Sequence, residues 1–162
     1  MEEIPEEFWA GVDQFNQQHY YACHDTLEAL WIEADQADRG FYQGILQIAV
    51  GLYHLSNENW RGSVILMGEG INRLHSYLPS YAEIDVESFV VYASRLHKWL
   101  QQLGADQVAI ALQQLNYGSN STPATSDWTL PTLQKLTAKS PDQLDASRGI
   151  FSAASEDTIK QP

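Results

Sequence analysis

The apolar positions divide the chain into helical faces separated by short polar breaks. Phe8, Val12 and Phe15 fall at i, i+4 and i+7, behind a Pro5 suited to a first helical position and with Glu6 and Glu7 in the first turn. This spacing predicts a first helix from Glu6 to about Asn16. Tyr20, Cys23, His24, Leu27, Leu30, Trp31 and Ala34 share one face and predict a second, from about His19 to Ala34. A third, capped by Asp38 and running to about Ser56, is apolar almost all round, the mark of a helix inside a bundle. Asn57, Glu58 and Asn59 break the pattern before a fourth, from Trp60 to about Leu78, which Pro79 ends. Asp85 caps a fifth, in which Phe89, Tyr92, Leu96, Trp99, Leu100 and Leu103 keep a helical period up to Gly104. Ala105 to Leu115 continues as a short sixth.

No segment shows β alternation, and the loops flanking the third helix are a few residues long, so consecutive helices are expected to be antiparallel neighbours. The expected fold is all-α, an antiparallel bundle of five to six helices with an irregular C-terminal tail. Residues 1–116 form the bundle. Beyond Tyr117 the composition shifts to Gly, Ser, Thr, Pro and Asn. Residues 117–140 therefore read as an irregular strap that docks through Trp128, Leu130 and Leu133, and 141–162 as a flexible tail.

Composition narrows the function classes. The single cysteine, Cys23, falls on an apolar helical face, so no internal disulfide exists and a packed thiol in a reducing, cytoplasmic setting is expected. No basic region precedes an apolar run at the N-terminus, and no stretch reaches the roughly 18 apolar residues that span a bilayer. Secretion and membrane insertion are therefore not expected. The net charge is −12, and residues 1 to 38 carry ten acids and no Lys or Arg. Such an end repels phosphates, so nucleic acid is not an expected ligand. Its plain role is solubility, with a basic protein partner as the other use.

The polar exceptions on the third helix carry the candidate chemistry. At about 100° per residue, Arg39, Gln43, Gln47 and His54 fall in one stripe, flanked by Gly40, Gly44 and Gly51, small enough to let another helix approach closely. On the second helix His24 points inward, Glu28 lies at the edge of that face, and Asp25 points to solvent. Counting back equal distances from the short loop sets Glu28 opposite Gln47, and His24 between Gln47 and His54. Asn16 ends the first helix near the same place.

Two accounts fit a buried His/Glu/Gln cluster between helices 2 and 3. One is a hydrogen-bonded network that locks helix register. The other takes His24, Glu28 and His54 as three ligands of a divalent metal such as zinc, with an open position for water. Without a His-Glu-x-x-His run, a cysteine pair, a doubled Glu-x-x-His or a Gly-x-Ser-x-Gly, the better defined metal and nucleophile classes are excluded. His19, His75 and His97, and the i,i+4 pair Glu69 and Arg73, read as ordinary surface features.

The succession Phe15-Asn16, His24-Asp25-x-Leu27-Glu28-x-x-Trp31, then Arg39-x-Phe41-x-Gln43-Gly44-x-Leu46-Gln47-x-Ala49 and His54 resembles the family called domain of unknown function 309. The resemblance covers roughly residues 8 to 78. It implies a compact helical fold and a role that some have labelled metal-dependent hydrolysis. The family's usual His-Glu pair is His24-Asp25 here, and the glycine and asparagine expected between the third and fourth helices appear as Glu58-Asn59, with Gly62 following. Three functions stay open at this point: a domain of unknown biochemical role with a candidate site at His24, Glu28, Arg39, Gln43, Gln47 and His54, a metal-dependent hydrolase of a small-molecule substrate, and a non-enzymatic helical interaction module, either a homodimer or bound to another protein.

Overall fold

The computed structural model describes residues 3–115 and 129–137. Trp128 and the expected tail, 141–162, lie outside the described residues. Helices α1 (Glu6–Asn16), α2 (Tyr20–Glu33), α3 (Gln36–Ser56) and α4 (Trp60–Leu74) are followed by a 3-10 turn, His75–Tyr77. Two short strands, β1 (Ser80–Tyr81) and β2 (Ile84–Asp85), lead into α5 (Val86–Leu103). A second 3-10 turn, Ala105–Gln107, precedes α6 (Val108–Gln114). The protein is all-α apart from that hairpin, as its periodicity predicts.

The local chemistry explains most boundaries. The Asp85 carboxylate accepts from Ser88 N at 3.0 Å and the Asn59 side chain from Gly62 N at 3.0 Å, each opening a helix, while Gly104 ends α5 at φ 79°. The start of α3 differs from expectation. Ala34 and Asp35 are extended, the helix begins at Gln36, and Asp38 lies in its first turn, where its carboxylate accepts from the Tyr81 hydroxyl rather than capping the backbone. Helix α4 stops at Leu74, short of the expected Leu78, as the chain tightens into the 3-10 turn. The hairpin is new to the structure: two residues per strand are too few for alternation to register, and Ala82 and Glu83 turn at φ 50° and 60°, as a tight hairpin turn demands.

Successive helices run antiparallel. Gly51 on α3 meets Met67 and Ser63 on α4, whereas Gly44, two turns earlier, meets Leu74 and Gly70. A Cβ on Gly70 would lie 2.6 Å from the Gly44 carbonyl oxygen, so these two backbones are in direct contact. The core between the helices is filled by Phe8, Phe15, Leu27, Phe41, Ile45 and Phe89, all essentially without solvent contact. Two of the large aromatics with polar tips bond to backbone across the bundle, Trp60 Nε1 donating to Leu100 O at 2.7 Å and the Tyr77 hydroxyl to Ala37 O at 2.7 Å. Residues 129–137 lie along the hairpin: Ile84 bridges Lys135, and Leu133 is buried.

Candidate functional site

The outer surface of α2 gathers the only group of three His, Cys, Asp or Glu side chains among the described residues that could share one metal ion. His24, Asp25 and Glu28 each offer a ligand atom within 4.8 Å of the others. Helix geometry is the cause, because positions i and i+4 sit one turn apart on the same face. The His24 side chain is 25% exposed and its Nδ1 lies 3.2 Å from Asp25 Oδ1. In the tautomer that donates from Nδ1, the Asp25 carboxylate fixes the ring and leaves the Nε2 lone pair free to ligate. Glu28 and Asp25 are exposed, which keeps them accessible to water.

Aromatic rings continue this surface onto α3. The His24 ring is 6.1 Å from Tyr21, Tyr21 is 5.4 Å from Tyr53, and Tyr53 is 6.2 Å from His54. His54 therefore stands at the far end of a row rather than within the group at His24. Its Nδ1 is 3.3 Å from Asn59 Nδ2. Because Asn59 Oδ1 accepts from Gly62 N, that amide presents its NH2 to the imidazole, and His54 Nδ1 is the acceptor. The structure thus ties His54 to the cap of α4.

The rest of the stripe on α3 faces elsewhere. Gln47 is buried, its Nε2 donating to Glu69 Oε2 at 3.1 Å and its Oε1 accepting from Arg73 Nε at 3.0 Å. Arg39 donates from Nε to Ala34 O at 3.0 Å, and its guanidinium lies 5.8 Å from the Trp31 ring, so it caps the end of α2. Gln43 is half-buried one turn before Gln47. Asn16 holds the strap instead, its Nδ2 donating to Leu133 O at 2.9 Å and its Oδ1 accepting from Leu133 N at 2.8 Å.

The residues expected as one buried cluster between the second and third helices therefore do not meet: His24 and Glu28 lie on the outer face of α2, Gln47 faces α4, and His54 stands at the cap of α4. Counting back from a loop sets the level of a residue along a helix, not its direction around it. That direction is set by Gly44 and Gly51, which draw α4 against the stripe. Glu69 and Arg73 were the missed partners, and the signal for them was Gln47 itself, a carboxamide on a buried helix that needs both a donor and an acceptor. Asp25 was set aside as pointing to solvent; it is exposed, yet it reaches the ring of its neighbour. Cys23 is buried, which pushes its thiol up to about 12 and keeps it protonated and inert.

The model of a family described as Domain of unknown function (DUF309) matches residues 8–66. Among curated proteins the chain is similar to an uncharacterized protein, YpuF, of Bacillus subtilis (strain 168), at 36% identity over 58 residues. Those residues are 35% of this chain and 33% of that protein, so the match spans about a third of the relative's length. No solved structure matches the chain. The family model covers α1 from Phe8 on, α2, α3 and the first part of α4, and so takes in His24, Asp25, Glu28, Gln43, Gln47 and His54 but not Glu69 or Arg73. Neither the family nor the relative carries a biochemical role.

Proposed function

We propose that this chain is a helical domain that binds one divalent metal on α2 and uses it for hydrolysis of a small molecule, with His24, Asp25 and Glu28 as ligands. The observation that carries the reading is the approach of three donor atoms to within 4.8 Å on a single helical turn. Ligands around a tetrahedral zinc at about 2.0–2.2 Å stand roughly 3.4 Å apart, a distance that side-chain rotation on the exposed face can reach. One imidazole and two carboxylates suit zinc and other first-row ions. A metal held by three such groups supplies a bound water of lowered pKa as nucleophile.

The chain's own residues have separate tasks in this reading. His24, the least exposed of the three, fixes the position of the site, and on metal binding Asp25 turns its carboxylate from the ring nitrogen to the ion. Glu28 completes the set from the next turn. Tyr21 and Tyr53 offer an aromatic wall beside it. A cytoplasmic setting belongs to the proposal, supported by the lone buried thiol, and nucleic acid is excluded from it by the net charge of −12.

A second reading, a non-enzymatic interaction module, is favoured by Tyr21 and Ile32, which remain 60% and 61% exposed on α2. Elemental analysis of protein purified without an affinity tag and loaded with zinc or manganese separates the two. The metal reading requires near-stoichiometric ion that is lost in His24→Ala and in Glu28→Gln and kept in His54→Ala. No ion above background, or ion kept in all three variants, overturns it. A dimer in light scattering that Tyr21→Ala or Ile32→Ser dissociates, in protein free of metal, selects the module.

A further inference from the structure

A cleft of about 650 Å³ opens where the chain entering α1, the second half of α2 and the start of α3 meet. Among the described residues five acids line it, Glu3, Glu7, Glu33, Asp35 and Asp38, and no Lys, Arg or His does. Half of the ten acids that precede Arg39 are thus drawn to one place by the fold. Pro5, Leu30 and Ala34 supply an apolar lining between them.

Acidic residues alone would be a solvated face, but the cleft also holds Tyr42. This residue is 3% exposed, its ring 5.9 Å from both Phe8 and Phe41. Its hydroxyl makes no hydrogen bond to any described residue, although among the described residues no fully buried side-chain polar atom lacks a partner. The little exposure Tyr42 retains is therefore at its hydroxyl, which looks into the cleft that the residue lines. Burial first and the charge of Asp38 second push this phenol up to about 12, so it stays a neutral hydroxyl with free lone pairs.

We infer that this cleft is a binding site for an alkylammonium group, whose NH donors face the carboxylates and the Tyr42 oxygen while its aliphatic stem lies along Leu30 and Pro5. A compact metal ion is the poorer fit. It needs converging donors, and among the described residues no three of these carboxylates come within 4.8 Å of one another. Acids spread over three elements, with apolar surface between them, match a cation whose charge sits on a carbon chain. Two sources share that chemistry, a free diamine or polyamine and a lysine side chain of a protein partner. The site is on a different face from His24, so it stands or falls independently of the metal reading.

The test is calorimetric titration of the full chain with 1,5-diaminopentane, with spermidine, and with a capped peptide carrying one central lysine, each at fixed ionic strength. The expected result is one amine bound per chain, weakened about ten-fold by Glu33→Gln combined with Asp35→Asn, and several-fold by Tyr42→Phe. Tyr42→Phe removes a hydroxyl that makes no hydrogen bond to any described residue, so its thermal melt should match the wild type and the loss is read as binding alone. Binding of the free amines assigns the site to a small molecule, and binding of the peptide alone assigns it to a protein. No binding of any probe, equal binding by wild type and both variants, or complete displacement by magnesium chloride at matched ionic strength overturns the inference.

Discussion

Gln47 on α3 donates from Nε2 to Glu69 Oε2 on α4 at 3.1 Å, and the same side chain accepts from Arg73 at 3.0 Å. One carboxamide therefore engages an acid and a base a full turn apart on the neighbouring helix, which only one register of α3 against α4 allows. Gln47→Ala should destabilise the protein by about 1 kcal/mol, since it removes two hydrogen bonds to charged side chains and leaves a small void at the seam, while the exposed Glu69 and Arg73 stay hydrated. Gln47→Leu should cost less, because the larger apolar side chain fills the space that alanine leaves. In urea unfolding, Gln47→Ala and Glu69→Ala should combine to less than their sum, whereas Gln47→Ala and His24→Ala should add to within about 0.5 kcal/mol. Coupling between His24 and Gln47 would show that the two polar sets are one.

What the chain revealed in advance follows from the range of each signal. Pro5, Asp85 and Gly104 mark helix ends by local chemistry, and α1 and α5 start where those residues place them. The adjacency of His24 and Glu28 is likewise local, a matter of one turn. The partners of Gln47 were not, because they depend on which neighbour the glycine face of α3 meets. The acidic cleft was only half legible: the excess of acids before Arg39 is plain in the sequence, but acids on separate elements look like a solvated surface until the elements converge.

The glycines of that face give a second prediction. A Cβ at Gly70 would stand 2.6 Å from the Gly44 carbonyl oxygen, and backbone cannot move aside without separating the helices. Gly70→Ala should therefore destabilise by roughly 1–3 kcal/mol despite the better helix propensity of alanine. Gly68→Ala is the milder comparison on the same helix, since its Cβ would approach His97 Nε2 at 3.1 Å, a side-chain atom that can shift by the few tenths of an ångström needed while keeping its bond to Val64 O. Thermal melts should show a clear loss for Gly70→Ala and a small change for Gly68→Ala. Similar melts for both would mean that α3 and α4 are less closely apposed.

Asn16 and Leu133 make the third. The two hydrogen bonds between them join the end of α1 to the strap 117 residues further on, where Leu133 is buried. Asn16→Ala should remove both bonds, raise amide exchange at Leu133 by about ten-fold or more, and leave exchange in α3 unchanged. Asn16→Asp should restore the bond to Leu133 N while losing the donor to Leu133 O. Unchanged exchange at Leu133 in Asn16→Ala would show that burial of the leucine alone holds the strap.

The last prediction concerns alkaline pH and Cys23. Burial pushes this thiol from 9.0 up to about 12, so the folded protein keeps its proton while the unfolded chain ionises from about pH 9 upward. The folded state then binds more protons than the unfolded one, and stability must fall as pH rises through this window. The contribution is whole below pH 9 and is lost progressively toward pH 12. Between pH 9 and 10 the loss from this one group should be about 1 kcal/mol, before Tyr42, which starts from 10.0, begins to add its own. Cys23→Ala will be less stable at every pH because it leaves a small void, so the informative quantity is the slope and not the level. Denaturation midpoints at pH 8, 9 and 10 should decline for the wild type and run flatter for Cys23→Ala. Parallel declines would show that the thiol ionises in the folded protein as readily as in the unfolded chain, and that the interior of α2 is open to water at this position.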